Sequence, residues 1–438
     1  MFDVEHFNPV SDHGPEADRR SGPLDPKERL SEVERRAHHD EVLRQTVKIV
    51  WEGLPFYREK LERAGLRPQD VHGLEDIPRV PITRKDEPGV STLGLGTFPL
   101  HEARRIFVSP GPMFYASQRR SDPPARRGET PLALALHAMG FREDDIVLNT
   151  FSYHLTPGGH GLEEQLTAAG CAVIPAGPQS TEVQVQVLAN LPVAGYVGTP
   201  TFLKLLCDRA DALGIDTRRD WRLRVAFVTA ERLSEPLREQ LEGRTGATVR
   251  QIYGSADRLL PAYECWAARG MHLHPDQILE VLDPETLAPS PVGEPGLVVA
   301  TVADPKRPLL RFANLDLVAL RGDPCPCGRT GPRIDRFVGR VGEATKVRGM
   351  FVYPEQLAEI MARHPEIGRW QAIVARGSSG TDDFSLRIEL EGPEPDGLRD
   401  LVTGEIRSLI RLRSEVEVVP SGTIPEGAPR LDDRRAGP

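Results

Sequence analysis

The chain has 438 residues, 55 Lys+Arg against 64 Asp+Glu, a formal net charge of −9 and 39% hydrophobic residues. That length accommodates two or three domains with a substantial core. The acidic balance argues against a dedicated nucleic-acid binder, which carries a basic face, and no window approaches the ~20 apolar residues that span a bilayer, so neither nucleic acid nor membrane is expected as a partner.

The N-terminus has no apolar run after a basic start, so it does not read as a secretory signal, and residues 1–25 are expected to be a polar tail. A helical pattern with apolar residues at three- and four-residue spacing runs from about Pro26 to Ala64 and closes on Gly65. A proline-rich connector follows. From about Pro131 strands and helices alternate: helix 130–140, strand 145–151, helix 161–170, strand 171–177, helix 181–191, strand 194–199, helix 200–214, strand 223–230 and helix 234–246. This alternation predicts an α/β fold with a doubly wound parallel sheet. Residues 277–320 change texture to short strands between Pro/Gly turns, an antiparallel barrel or meander. From about Val341 a small mobile α/β unit is expected. The division is thus a large N-terminal domain over 26–339 and a small C-terminal lid over 340–438, joined near Gly339 to Glu343.

Only five cysteines occur, Cys171, Cys207, Cys265, Cys325 and Cys327. An odd, sparse count speaks against a disulfide framework and for a reducing, cytoplasmic location. Cys325 and Cys327 flank one residue in the turn "DPCPCGRTG", and "ECWAARGMHLH" adds Cys265 and His272, with His274 as a rival. Four sulfur and nitrogen ligands from two loops suit a closed tetrahedral, structural Zn²⁺ site. Cys171 lies in a strand and Cys207 in a helix, as core residues do. In "VRQIYGSAD", an aromatic residue, a glycine and a small polar residue at a strand end can stack a purine and admit a phosphate, and the closing acid can ligate Mg²⁺.

The run "CPCGRTGPRIDRFVGRVGEATKVRGMFVYPEQL", with "LPFYREKLERAG", "FVTAERLSEPLREQLE" and "IYGSAD" upstream, resembles the phenylacetate–coenzyme A ligase family of the adenylate-forming superfamily. The likeness extends from about Glu34 to about Val419. It implies ATP-dependent activation of a carboxylic acid, typically aromatic, to an acyl adenylate, then transfer to the thiol of coenzyme A while the small domain rotates. It also implies the roles of particular residues. Tyr253 would stack on adenine, Gly254, Ser255 and Ala256 would lie by the α-phosphate, and Asp257 would hold the Mg²⁺ that ATP brings. Thr229, Ala230 and Glu231 would meet the adenine edge, Asp316 the ribose hydroxyls, and Arg340 the ribose and phosphate. Gly342 and Glu343 would form the hinge. Some members keep the same four positions of the Cys/His set. A homodimer would accord with the family. The acid itself is expected near Tyr153, Gly158, Gly159 and His160, where two glycines would open space.

Three departures from the family pattern fall on adenylation. Its Ser/Thr/Gly-rich phosphate loop is replaced by "SPGPMFYASQ", in which Pro110 and Pro112 lack an N–H. Its C-terminal catalytic lysine is replaced by Arg430, a planar guanidinium rather than a point charge. The first acid of its hinge is Gly342. Beside the ligase reading therefore stands a second: a divergent homologue that no longer adenylates, and either takes a preformed acyl adenylate or acyl thioester or is a non-catalytic binding protein.

Overall fold

The computed structural model describes residues 21–435 apart from 86, 110–112, 124–129, 131, 232, 255–261, 342–344, 348–349, 377–381 and 411. The sequence readings at Ser255, Ala256, Asp257, Gly342 and Glu343 lie outside the described residues.

The expected first helix is two. α1 (Glu32–Gly53) opens on a capping box in which Ser31 Oγ accepts from the Glu34 N–H and Glu34 Oε2 accepts from the Ser31 N–H. It stops before Pro55, which has no N–H to donate and instead opens α2 (Pro55–Arg63). The remaining helices are α3 (Ala133–Met139), α4 (Gly158–Ala168), α5 (Thr181–Asn190), α6 (Pro200–Ala212), α7 (Thr217–Asp220), α8 (Glu235–Thr245), α9 (Pro354–Met361) and α10 (Leu398–Ile410).

Strands β1 (Thr83–Arg84), β2 (Ile106–Ser109) and β3 (Met113–Ala116) precede the α/β alternation. Then come β4 (Ile146–Asn149), β5 (Ala172–Pro175), β6 (Val193–Gly198), β7 (Val225–Val228) and β8 (Thr248–Tyr253). They lie in the order β5-β4-β6-β7-β8, all parallel. β4, β5 and β7 are nearly continuous apolar runs, as strands of a sheet covered by helices on both faces are. One face packs with α5, α6 and α8 around Leu188, Leu203, Leu206, Trp221 and Leu241, and the other carries α3 and α4 around Leu136, Met139 and Leu166.

The antiparallel region is not a separate barrel. β9 (Ala262–Glu264) pairs antiparallel with β8, and β10 (Met271–His272), β11 (Gln277–Leu282), β12 (Pro295–Val302), β13 (Leu309–Arg321) and β14 (Arg333–Arg340) extend the same sheet, twelve strands with β1 on β13. β8 is the seam at which strand direction changes. α1 and α2 cover this half through Leu43, Val47, Val50, Tyr57 and Leu61.

Beyond β14 a hairpin of β15 (Thr345–Val347) and β16 (Met350–Val352) leads to a second, four-stranded sheet. Its strands are β17 (Ile367–Arg376), β18 (Asp382–Leu390), β19 (Glu415–Val419) and β20 (Leu431–Asp433). It shares a core of its own with α9 and α10, centred on Leu357, Ile360, Leu386, Val402 and Ile406. At the other end of the chain the expected tail is too long: Ser21 is buried and is held by Arg142 and Arg329 of the large body.

Candidate active site and metal cluster

Where strand direction reverses, the C-terminal ends of β7 and β8 face β13 and β14 across a cavity of about 490 Å³. Thr229, Ala230 and Glu231 follow β7, and Thr229 Oγ1 donates to the Ile252 carbonyl (3.0 Å), tying the two strand ends together. Ala230 turns the chain in the left-handed region at φ +69°. Tyr253 and Gly254 end β8, while Asp316 and Arg340 sit opposite one another in register on β13 and β14. The same wall receives Asp335, Arg336 and Phe337 of β14 and, from beyond it, Glu355, Glu359 and Arg363.

Asp316 is the hub. Its Oδ2 accepts from Tyr253 Oη (2.8 Å) and from Asn314 Nδ2 (2.7 Å), and its Oδ1 accepts from Arg340 Nε (2.9 Å). Asn314 Nδ2 also donates to Tyr253 Oη (2.8 Å) and its Oδ1 accepts from the Asp316 N–H (3.1 Å). A carboxylate offers about four acceptor positions, so three are used and one remains on Oδ1. Burial, and then the Asp316 carboxylate, push the Tyr253 phenol well above its usual range, so it stays a neutral donor. Leu315, between the two polar residues, is held at φ +72°, a conformation costing a branched side chain roughly 1–2 kcal/mol.

The residues expected around the acid lie elsewhere on the same edge of the sheet, at the end of β4, and do not line this cavity. Asn149 Nδ2 donates to Tyr153 Oη and to the Gly159 carbonyl, both at 2.9 Å. His160 meets Tyr153 edge to face at 5.0 Å and lies 6.0 Å from the Phe107 ring. The space expected at Gly159 is filled: a Cβ there would come within 2.7 Å of the Ser152 carbonyl and 2.8 Å of Tyr153, so glycine serves close packing. Gly158 is looser, with Phe151 at 3.4 Å from such a Cβ.

The segment in place of the family's phosphate loop is a hairpin. β2 and β3 pair antiparallel with Ser109 opposite Met113, and Val108 N–H donates to the Leu155 carbonyl (2.9 Å). Arg430, in place of the lysine, stacks on Trp370 (5.3 Å) and is outside the cavity wall.

The cysteines answer to strand order. β10 lies between β9 and β14, so His272 is carried next to Cys265, just past β9, and to the turn before β14 that holds Cys325 and Cys327. The four ligand atoms lie within 4.8 Å of one another and all four residues are buried. Cys265 Sγ is 3.7 Å from Cys325 Sγ, and Cys327 Sγ is 3.3 Å from His272 Nε2. A tetrahedron with ordinary zinc bond lengths has edges of ~3.8 Å between sulfurs and ~3.5 Å between sulfur and nitrogen, so the donor set fits. Within the group the Cys327 thiol is the one drawn below its usual range, by hydrogen bonds from Cys265 and then His272. The rival His274 is turned away, its Nδ1 accepting from the Asp276 N–H (3.2 Å).

Residue Arg329 of this turn reaches a side chain that sequence reasoning missed. Its Nε and the Glu28 carboxylate form an ion pair whose side chains are each 2% exposed. Glu28 also accepts from Tyr263 Oη (2.6 Å) and from the Leu24 N–H (2.6 Å), and Arg329 donates to the Ser21 and Gly22 carbonyls. The N-terminal strap is thus fastened to β9 and the cysteine turn. Glu28 carried no local signal beyond its place in a capping sequence, because its partner is some 300 residues away. Arg336, Glu355, Glu359 and Arg363 at the cavity, and Asn314 bonded to Asp316 and Tyr253, were likewise not anticipated.

The architecture is that of the acyl-CoA ligases among adenylate-forming proteins. A 2-hydroxyisobutyryl-CoA ligase structure in complex with 2-HIB-AMP and CoA superposes with TM-score 0.78, at 24% identity, over 99% of this chain and 97% of that one. An anthranilate CoA ligase with anthranoyl-AMP aligns over 73% of the chain at TM-score 0.52. No protein-family model matches the chain. In sequence it is 30% identical to the phenylacetate-coenzyme A ligase of Thermus thermophilus, over 91% of this chain and 94% of the relative. It is 28% identical to that of Pseudomonas putida, over 92% and 94%. The chain therefore belongs to the phenylacetate–coenzyme A ligase family of adenylate-forming enzymes.

Proposed function

We propose that the chain is an acid–thiol ligase of the AMP-forming kind, handling an acyl adenylate in the cavity between β7, β8, β13 and β14 and passing the acyl group to the thiol of coenzyme A. The observation that carries this is the convergence of Thr229, Ala230, Glu231, Tyr253, Gly254, Asp316 and Arg340 on one cavity of about 490 Å³. In this reading the open lone pair of Asp316 takes a ribose hydroxyl, the strand-end backbone at Ala230 and Glu231 meets the adenine edge, and the Tyr253 ring packs on its face. Arg340 divides its guanidinium between Asp316 and the α-phosphate. The four-ligand cluster holds a structural Zn²⁺ that staples β9, β10 and the turn before β14; its closed donor set leaves no position for a substrate.

The domain division follows: a body up to β14 and a lid beyond it, with the junction near Gly339 to Glu343. The acid is an aromatic carboxylic acid in the first instance, and the protein works in the cytoplasm. No helix among the described residues is long and apolar enough to cross a membrane. The test is to incubate the protein with coenzyme A and synthetic phenylacetyl-AMP or a short aliphatic acyl-AMP and detect acyl-CoA by mass spectrometry. Enzyme-dependent thioester supports the reading, and none from either adenylate sinks it.

A further inference from the structure

ATP differs from AMP by two phosphates carrying about two further negative charges, and holding them takes several converging N–H or cationic donors. The segment that stands in place of the resembled family's phosphate loop is the β2–β3 hairpin, which meets the chain beyond β4 through the Val108–Leu155 hydrogen bond and the Phe107–His160 contact. Its register fixes Ser109 opposite Met113 and leaves the connection to Pro110, Gly111 and Pro112. By sequence alone that connection offers one N–H, that of Gly111.

The hairpin's strands are apolar rather than donor-rich. Ile106 is 50% and Phe114 38% exposed, and beside them Leu155 is 68% exposed. The flanking cations are committed: Arg105 to Glu164 (2.6 Å) and Arg104 to the Asp122 carbonyl (3.1 Å). In the cavity, Arg336 and Arg363 already meet Asp335 (3.2 Å) and Glu359 (3.3 Å), and Arg340 is shared between Asp316 (2.9 Å) and the single α-phosphate of the reading above. Arg430 is stacked on Trp370. The groups proposed to hold adenosine and one phosphate remain, whereas the described residues do not fit a triphosphate.

We infer that this chain runs only the second half of the ligase reaction: it accepts an acyl group already joined to AMP and makes the thioester. This rests on the function proposed above. The thiol sulfur attacks the acyl carbon, the C–S bond forms, the C–O bond to the adenylate phosphate breaks, AMP leaves and the thiol proton passes to solvent. No ATP, pyrophosphate or oxidant enters that balance. An ATP-consuming acid-adenylating enzyme must therefore act before it.

The test uses the full-length protein and three measurements. They are exchange of labelled pyrophosphate into ATP with phenylacetate and short aliphatic acids, thioester formation from the corresponding acyl adenylates and coenzyme A, and calorimetric affinities for AMP and MgATP. Thioester formation is expected to exceed exchange at least ~100-fold, the scale set by losing donors to developing charge, and AMP should bind at least as tightly as MgATP. The double variant Pro110→Ser/Pro112→Thr, which restores two N–H groups and two hydroxyls, should tighten MgATP relative to AMP. Exchange within tenfold of thioester formation, or MgATP binding tenfold tighter than AMP, overturns the inference while leaving the ligase reading intact. AMP binding with no thioester from any adenylate overturns both and leaves a nucleotide-binding protein.

Discussion

Replacing Glu28 by Gln tests how the N-terminal strap is held. The carboxylate is 2% exposed, forms the ion pair with Arg329, and accepts from Tyr263 Oη and the Leu24 and Asp25 N–H groups at 2.6, 2.6 and 3.2 Å. A glutamine keeps one acceptor but sets an NH₂ against some of these donors and leaves the buried guanidinium without its counter-charge. Removing one partner of a buried pair costs about 3–5 kcal/mol, far more than an exposed pair is worth. Urea unfolding followed by tryptophan fluorescence should show that loss, and limited proteolysis should show faster cleavage between residues 21 and 30. Arg329→Gln alone should cost a similar amount, since it leaves the carboxylate stranded and removes contacts to the Ser21 and Gly22 carbonyls. The double variant should cost about 2 kcal/mol or more less than the sum of the singles. Single losses below ~1 kcal/mol, or strict additivity, would refute the claim that this pair fastens the strap.

Gly159→Ala should destabilise the protein by about 1–3 kcal/mol, because two of the three atoms nearest the new Cβ are backbone oxygens that cannot swing away; thermal melting checks it. Purified protein should carry one Zn²⁺ per chain by elemental analysis, and Cys325→Ser should lose it and expose the region of the Arg329 turn to protease; metal-free wild-type protein of full stability would count against the cluster's role. Burial holds His39 below its ordinary 6.5, outweighing the hydrogen bond to the Pro275 carbonyl. A group whose protonated form is disfavoured on folding leaves the unfolded chain to take the proton first, so its contribution is full above about 6.5 and is lost as pH falls below it. His39→Gln should flatten the stability profile on that acid side.

The parallel half of the molecule was legible because each strand and helix announces itself locally, by apolar runs such as Val225–Val228 and by Ser234 and Pro236 at the start of α8. The break at Pro55 was legible in principle, since proline cannot continue α1, yet the apolar spacing runs straight through it. The join of the two sheet halves was not, because the pairing of Ile252 with Tyr263 follows from no periodic pattern in the sequence. The Cys/His cluster was readable from chemistry: cysteine and histidine have few other reasons to gather in Gly/Pro turns, and only the choice between His272 and His274 needed the register of β10. Asp316 was found by resemblance, but its enclosure by Tyr253, Asn314 and Arg340 depends on three strands meeting. The Glu28–Arg329 pair left no trace, as charges at opposite ends of a chain look like any other surface residues.

The central claim is that the Asp316-centred cavity holds an adenosine monophosphate group. Its most direct test is calorimetric titration of AMP into the wild-type protein and into Asp316→Asn, with circular dichroism to show that the fold is kept. Loss of one charge-assisted hydrogen bond to ribose is worth about 1.5–3 kcal/mol, so the variant should bind AMP about 10- to 100-fold more weakly. Equal affinity in the two proteins, or no binding of AMP by the wild type, would contradict the account.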